Sequence, residues 1–188
     1  MAGITPKDKN RVCPVELAGG LDNTIRRWLQ NPKKIVGPYV HEGMTVIDIG
    51  CGPGFFTVPM AAMVGPSGRV YACDLQDGML DRLKAKIRGS ELEGRITPHK
   101  TGADTIGVKE RADFILVFYM LHEVLDKGGF FREIKSLLKE NGKALIVEPN
   151  FHVSRDEFKE SMVKAGKAGF NIMEGPKVFM SRSGVLTA

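Results

Sequence analysis

The stretch of sequence that decides the fold is VIDIGCGPGFF, residues 46–56. An apolar run typical of a buried strand leads into Gly50, Gly52 and Gly54, and an apolar run of helical length follows. Glycine lets a loop adopt positive φ and lets the backbone approach a ligand closely. In an open parallel sheet, ligands bind at the carboxyl ends of the strands. A tight turn without a ligand is the alternative, but the acidic Asp48 inside the strand favours a ligand-binding loop.

From residue 43 onward, short apolar runs alternate with amphipathic runs of helical length. Runs such as TVIDI and FILVF are apolar on both faces, which is typical of a parallel sheet covered by helices on both sides. The predicted strands are Thr45–Ile49, Arg69–Asp74, Ile96–Lys100, Asp113–Phe118 and Lys143–Glu148, and the predicted helices are Phe55–Val64, Gly78–Arg88 and Gly129–Glu140.

The C-terminal part completes this pattern. Asn141-Gly142 is expected to stop the third of these helices, and residues 101–112 are expected to form a short or irregular crossover. A helix from about Ser154 to Ala168 and two strands, near Phe170–Glu174 and Gly184–Thr187, follow. The sequence therefore predicts a doubly wound α/β fold with a closing hairpin.

The composition is that of an ordinary globular protein, with 43% hydrophobic and 26% charged residues over 188 residues. It excludes a disordered, collagen-like or disulfide-stapled chain. The length predicts one domain, residues 1–188, with residues 1–40 as an N-terminal helical flap or lid. The net charge is +5, and the excess lies mainly in residues 1–34, which hold seven Lys/Arg and three Asp/Glu. A basic arm can contact phosphate, although so small an excess is more typical of a solvated surface.

The cysteines and the apolar runs bound the environment of the protein. Cys13, Cys51 and Cys73 make neither a disulfide framework nor a zinc site. The first ten residues lack the apolar core of a secretory signal, and the longest apolar run, residues 114–121, is far too short to span a membrane. We therefore expect no metal, no membrane association and a reducing cytoplasm, whereas the oligomeric state stays open.

The glycine spacing limits the ligand. A dinucleotide fingerprint reads G-x-G-x-x-G, but Phe55 occupies its sixth position and would obstruct the approach of the helix to a pyrophosphate. A P-loop is excluded because no Gly-Lys-Ser/Thr follows. Asp74 ends the run RVYACD twenty residues after Gly54, where a carboxylate can accept hydrogen bonds from both hydroxyls of a ribose. A ribose without a pyrophosphate indicates a nucleoside-type cofactor.

Four segments together resemble the class I S-adenosylmethionine-dependent methyltransferases, in particular the small-molecule, type 11-like members. VIDIGCGPGFF resembles motif I of that family, VYACDL the segment with the ribose-binding acid, DFILVFYMLHEV the fourth-strand motif, and LLKENGKALIVEPN the helix and strand that follow. The resemblance covers roughly residues 40–150. It implies a Rossmann-like seven-stranded sheet in the order 3-2-1-4-5-7-6, with strand 7 antiparallel and helices on both faces.

The resemblance also implies a role for individual residues toward the cofactor, S-adenosylmethionine. The three glycines would line its methionine portion, Asp48 would help to hold its amino group, and Asp74 would bind the ribose. Leu75 would lie against the adenine, and Phe118 would offer a backbone carbonyl near the methionine amino group. Cys51 and Cys73 would pack beside the cofactor. Aromatic faces favour a sulfonium cation, so the rings of Phe55, Phe56 and Tyr119 are candidates to face it, with core or loop packing as the alternative, above all for Phe56.

At the adenine end, this sequence departs from the family. The family often has Asp-Ala after the third strand, but here the positions read Gly102-Ala103. Either Asp104 replaces the missing aspartate, or the adenine is held by backbone groups alone.

The acceptor side is predicted to follow the fourth strand. His122 has the natural pKa of a general base near neutrality, and Glu123 would orient it or bind a cationic acceptor. Packing under the loop is the competing role for His122. Glu148 and His152 leave the fifth strand toward the same region, and Cys13 could lie in the flap over the pocket.

Three functions stay open on the sequence alone. Methyl transfer to a small molecule is favoured by the length, the His-Glu pair and the absence of a target-recognition domain. RNA methylation through the basic arm is the second, but the motifs of base methylases are missing after the fourth strand, so nucleic acid is an unlikely partner. The third is a non-catalytic protein that kept the cofactor fold.

Overall fold

The computed structural model describes residues 29–187. The strands are β1 (Thr45–Ile49), β2 (Arg69–Asp74), β3 (Ile96–Lys100), β4 (Ala112–Phe118), β5 (Leu138–Pro149), β6 (Asn171–Glu174) and β7 (Ser181–Thr187). The helices are α1 (Pro32–Val36), α2 (Thr57–Met63), α3 (Asp77–Ile87), α4 (Lys127–Leu137) and α5 (Arg155–Lys167), with short 3₁₀ turns at Glu93–Arg95 and Leu121–Glu123.

The seven strands form one sheet in the order β3-β2-β1-β4-β5-β7-β6. β1 to β5 are parallel, whereas β7 is antiparallel to both β5 and β6. The predicted fold, including the antiparallel seventh strand and the closing hairpin, is confirmed. The switch in strand order falls between β1 and β4, and ligands bind at such a crevice in this class of sheet.

Alternation along the central strands explains the two cores. In β4, Phe114 and Leu116 face one side of the sheet, and Ile115 and Val117 face the other; all four side chains are fully buried. Because successive side chains of a strand point to opposite faces, a run that is apolar at every position must be covered on both sides. Helices provide that cover on each face.

The C-terminal boundary of α4 differs from the prediction. The helix ends at Leu137 and β5 begins at Leu138, whereas we expected the helix to continue to Glu140. Ala112 pairs with Leu138, but Phe114 already pairs with Lys143, so the extra residues form a bulge in β5. Asn141 adopts a positive φ of 63° within it. Asn141-Gly142 is therefore a turn inside an irregular strand and not a helix stop.

Other boundaries agree closely. α5 runs from Arg155 to Lys167, and Ser154 caps it in a capping box with Glu157. Residues 101–112 contain no helix before β4, as expected for an irregular crossover. β7 begins three residues earlier than predicted, at Ser181.

The described part of the N-terminal region begins at residue 29. Asn31 caps α1, with Pro32 in its first turn, and Ile35 and Val36 are buried in the same core as β4. The rest of the predicted flap, residues 1–28, and with it Cys13, lies outside the described residues, so the lid stays a prediction. Within residues 29–187, no helix is long and apolar enough to cross a membrane.

Candidate active site

The glycine loop after β1 has the backbone that the sequence predicts. Gly50, Gly52 and Gly54 have φ values of 73°, 52° and 86°, a region that other residues enter only at a cost. A Cβ on Gly50 would lie 2.8 Å from Cγ of Met120, and one on Gly54 would lie 2.5 Å from Cδ1 of Leu83. A Cβ on Gly52 would meet no atom within 4 Å. Gly50 and Gly54 thus permit close packing within the protein, whereas Gly52 leaves open space beside the loop.

Asp74 ties this loop to the end of β2. Its carboxylate accepts one hydrogen bond from the Gly52 amide at 2.9 Å and one from the Gln76 amide at 2.8 Å. The side chain is nearly buried, and burial raises the pKa of Asp74, while these amide bonds and Lys100 act in the opposite direction. These two hydrogen bonds therefore fix the carboxylate of Asp74 at the carboxyl end of β2.

The two cysteines beside the loop are structural. The carbonyl of Cys73 accepts hydrogen bonds from the amides of Gly50 at 2.8 Å and Cys51 at 3.0 Å, which closes the loop onto β2. Burial raises the pKa of both thiols, and the charges of Asp48 and Asp74 raise it further. Because the thiolate is the reactive form, neither cysteine is suited to act as a nucleophile.

Asp48 supports the loop from below. Its side chain is only 2% exposed, and it accepts a hydrogen bond at 2.6 Å from the hydroxyl of Thr57, the first residue of α2. The strand and the helix on either side of the loop are thereby joined by one buried contact.

A cleft of about 380 Å³ opens at the carboxyl ends of β1 to β4. Most of the predicted site residues line it: Asp48, Gly50, Cys51, Gly52, Phe55, Asp74, Leu75, Gly102, Ala103, Phe118 and Glu123. Two predicted residues, Gly54 and His122, are not among the lining residues. Gly54 is turned toward Leu83 of α3, so its role is helix packing next to the loop.

The charged side chains that line the cleft are acidic. Among the described residues that line it, none is Lys, Arg or His, and five are acidic: Asp48, Asp74, Asp104, Glu123 and Asp126. A cleft with one sign of charge attracts ligands of the opposite sign. This lining disfavours phosphates and fits a ligand that carries a positive charge and hydroxyl donors.

One end of the cleft is held by a carboxylate that sequence reasoning missed. Oε1 of Glu133, on α4, accepts hydrogen bonds from the Thr105 hydroxyl and from the amides of Ile106 and Gly107. These bonds fix the irregular crossover, including Gly102 and Ala103, beside α4. No sequence signal distinguishes Glu133 from the other acids of an amphipathic helix.

The opposite end is built around Tyr119, which follows β4 with a positive φ of 61°. Its amide donates to the Val147 carbonyl at 2.8 Å, and its hydroxyl forms hydrogen bonds with Gln30 and with Ser181. A non-glycine residue in this conformation is uncommon and costs energy. The surrounding bonds hold Tyr119 against the cleft.

His122 has a different partner from the one predicted. Its Nδ1 lies 2.7 Å from Oε2 of Glu148 on β5, whereas Glu123 points into the cleft. Consecutive residues of a 3₁₀ turn diverge by about a third of a turn, so Glu123 and His122 face different ways. Burial lowers the pKa of His122, but the hydrogen bond and charge of Glu148, together with Glu123, outweigh it and raise the pKa above its usual value.

His152 stacks on His122, with ring centroids 5.6 Å apart and planes within 11°. His152 therefore lies in the same region as His122, as its place after β5 predicts, whereas a contact with the acceptor stays a prediction. Within the described part of the chain, no group of three or more His, Cys, Asp or Glu side chains could hold a metal ion.

Comparison with known proteins places this geometry in a family. A family model described as "Methyltransferase domain" matches residues 40–177. A crystal structure of an S-adenosylmethionine-dependent methyltransferase from Aquifex aeolicus aligns with a TM-score of 0.82 and 25% identity, covering 94% of this chain and 98% of that one. The chain belongs to the class I S-adenosylmethionine-dependent methyltransferases. This methyltransferase also shares its fold with Aeropyrum pernix fibrillarin bound to S-adenosylmethionine, at a TM-score of 0.62 and 16% identity over 80% of this chain and 68% of that one.

Curated relatives resemble the methyltransferase over part of their length. The ubiquinone/menaquinone biosynthesis C-methyltransferase UbiE of Pasteurella multocida is 30% identical over 110 residues, which are 58% of this chain and 41% of that protein. The demethylmenaquinone methyltransferase of Lactobacillus johnsonii is 34% identical over 110 residues, 58% of this chain and 45% of that protein. The chain thus spans less than half the length of the curated relatives it matches.

The family cofactor is S-adenosylmethionine, and the residues present fit it. Gly52 leaves open space beside the loop, Asp74 presents a carboxylate at the tip of β2, and the lining is acidic without a basic residue among those described. A sulfonium cation with a ribose and no phosphate meets each of these conditions.

Proposed function

We propose that this methyltransferase transfers the methyl group of S-adenosylmethionine to a small-molecule acceptor by in-line displacement. The observation that carries the proposal is the acidic cleft, in which Asp74 closes the glycine loop and no described lining residue is basic. That combination suits a cationic nucleoside and disfavours the phosphate-bearing cofactors that use similar loops.

In this proposal, each part of the cleft holds one part of the cofactor. Gly50, Cys51, Gly52 and Gly54 form the loop along the methionine portion, with Asp48 near the amino group and the carbonyl of Phe118 opposite. Asp74 accepts hydrogen bonds from the ribose. Leu75, Gly102 and Ala103 flank the adenine, and the ring of Phe55 faces the sulfonium. The support is that all of these except Gly54 line the same cleft, while Gly54 lets the loop pass close to α3.

The chemistry requires alignment and a dry site more than covalent catalysis. S-adenosylmethionine supplies an electrophilic methyl group on a positively charged sulfur. The residues of the chain bind the amino group and the ribose of the cofactor through Asp48 and Asp74. They orient the acceptor next to Tyr119 and Glu123, and their apolar rings exclude water. Within this proposal, His122 takes a proton from the acceptor and Glu123 contacts the acceptor itself.

A small molecule is the acceptor that the relatives favour. Two of them are named for quinone biosynthesis, and one of these names demethylmenaquinone, which is a small molecule. We also propose the cytoplasm as the compartment. Both described cysteines are free, which is usual in a reducing environment.

The test is a transfer assay with methyl-labelled S-adenosylmethionine. The full chain is incubated separately with a small-molecule extract of cells and with total RNA, and labelled products are separated by size. We expect label in small molecules. Label in RNA, together with RNA binding that weakens steeply with salt, would favour the RNA alternative. Cofactor binding without any transfer would favour the non-catalytic alternative.

A further inference from the structure

Glu148 is buried at the end of β5, and both of its carboxylate oxygens contact the turn that follows β4. Its side chain is 2% exposed. Oε1 accepts a hydrogen bond from the Leu121 amide at 3.0 Å, and Oε2 lies 2.7 Å from Nδ1 of His122. A buried carboxylate is costly unless it is paired and hydrogen-bonded, so this arrangement fixes the carboxylate and the imidazole in one geometry.

The pairing decides which nitrogen of His122 carries the proton. A carboxylate only accepts hydrogen bonds, so Nδ1 must be the donor, and in the neutral ring the lone pair then lies on Nε2. Among the described residues, Glu148 is the sole hydrogen-bonding partner of this imidazole. The side chain is 27% exposed, so the imidazole is partly accessible to a ligand or to water.

A continuous wall of rings connects this pair to the cleft. Phe118 and Tyr119 line the cleft and lie 4.3 Å apart between centroids. Tyr119 contacts Phe151 at 6.4 Å, Phe151 contacts His152 at 5.1 Å, and His152 stacks on His122 at 5.6 Å. His122 does not line the cleft, but it directly precedes Glu123, which does, so the imidazole lies next to the end of the cleft that Tyr119 and Glu123 form.

We propose that Glu148 is a positioning residue that presents Nε2 of His122 as the proton acceptor of the reaction, and that the methyl acceptor bears an acidic hydroxyl or thiol. This inference rests on the proposed function. The new bond joins the acceptor oxygen or sulfur to the methyl carbon, and the old bond between that carbon and the sulfonium breaks with its electron pair left on sulfur. The proton of the hydroxyl or thiol passes to Nε2 and then to water.

The surroundings of the imidazole set the pH range of this step. Burial and Lys127 at the start of α4 oppose the protonated ring, but Glu148 on β5 and Glu123 on the same turn favour it and raise the pKa of His122. Because imidazole is a weak base, it deprotonates phenols, enols and thiols more readily than aliphatic alcohols. An acceptor with an acidic hydroxyl or thiol is therefore the class whose proton the imidazole of His122 can accept.

The first test needs neither cofactor nor acceptor. The sequence has four histidines, so ¹⁵N-histidine NMR can follow each ring through a pH titration. In the unchanged protein, we expect His122 as the Nδ1–H tautomer with a pKa above about 6.5. An Nε2–H tautomer for His122 would overturn the proposal, and this measurement does not depend on any variant folding.

Two matched variants distinguish a positioning role of Glu148 from the general effect of a negative charge near His122. Glu148→Gln should lower the pKa of His122 and release its fixed tautomer, while Glu123→Gln should lower the pKa but keep the tautomer, because Glu123 does not contact the ring nitrogen. The ring signals of the exposed His41, which lies outside this turn, serve as the internal control in all three proteins. An unchanged His122 in Glu148→Gln would contradict the proposal.

The acceptor class is tested by identifying the atom that carries the new methyl group, with ¹³C-methyl S-adenosylmethionine and carbon NMR of the product from the extract. The chemical shift of the methyl carbon distinguishes a methyl group on oxygen or sulfur from one on carbon or nitrogen. A product methylated on carbon or nitrogen, or a thioether that gains CH₃ with a positive charge, would overturn the proposal while leaving the methyltransferase function intact. With the identified acceptor, His122→Gln should lower kcat by about 10²–10⁴-fold, and Glu148→Gln should shift the acid limb of the pH profile to lower pH. Absence of any product would instead count against the proposed function.

Discussion

The substitution Gly52→Ala tests whether the open space beside the glycine loop belongs to the cofactor. Gly52 has a φ of 52°, and an added Cβ would meet no protein atom within 4 Å. The same residue lines the cleft, and its amide donates to Asp74 at 2.9 Å. A methyl group there clashes with no protein atom, but it occupies space next to the loop that the methionine portion of the cofactor is proposed to fill.

The magnitude has two separable parts. Placing alanine at positive φ should reduce the free energy of unfolding by about 1–2 kcal/mol. The extra methyl should reduce the free energy of cofactor binding by about 1–3 kcal/mol, the usual cost of overfilling a packed site, which is roughly a five- to 150-fold rise in Kd. Gly89→Ala is the matched control, because Gly89 also has positive φ, 72°, and open space at its Cβ but lies after α3, outside the cleft.

Urea unfolding and calorimetric titration with S-adenosylhomocysteine measure the two parts. We expect both variants to lose similar stability and only Gly52→Ala to lose affinity. Equal Kd values for the unchanged protein, Gly52→Ala and Gly89→Ala would refute the reasoning, because the loop would then not contact the ligand.

Three further predictions concern single contacts. Asp74→Asn should weaken cofactor binding by at least about tenfold in calorimetry, because charge-assisted hydrogen bonds to the ribose are worth more than neutral ones. Asp81→Asn, at an exposed position of α3 outside the cleft, should leave binding unchanged, and equal losses would indicate a general charge effect. Thr57→Val should reduce the free energy of unfolding by about 1–3 kcal/mol in urea, because the buried Asp48 loses its 2.6 Å hydrogen bond, and no change would mean that other donors satisfy it. Phe131→Ala should reduce the free energy of unfolding in urea by about 3–5 kcal/mol, because the ring is fully buried in the core. A reduction below about 1 kcal/mol would contradict this place of the ring in the core.

The central strands of the sheet could be predicted because their own residues indicate a buried strand without reference to the rest of the chain. β1 and β2 have the predicted bounds, and β4 is one residue longer, since runs that are apolar at every position leave few alternatives to a buried parallel strand. The bulge at the start of β5 could not be predicted. Asn141-Gly142 is an equally good signal for a helix stop and for a tight turn, and only the register of β5 against β4 decides between them.

The candidate site divides in the same way. The glycine loop and Asp74 are adjacent to strand ends, so their meeting follows from the topology alone. The contacts of Glu148 and Glu133 depend on which groups the tertiary packing brings together over 26 to 28 residues of sequence. Sequence spacing carries no information about such pairs. It therefore assigned the orientation of His122 to the adjacent Glu123, and it gave Glu133 no role.

The central claim is that the loop after β1 and the acid at the end of β2 together hold S-adenosylmethionine. The most direct measurement is a titration of the ¹⁵N-labelled protein with S-adenosylhomocysteine, followed through the amide signals of Gly50, Gly52 and Gly102. We predict saturable shifts at these three amides with one common Kd, and little change at the amides of α5. Absence of shifts, or shifts confined to residues outside the cleft, would contradict the account.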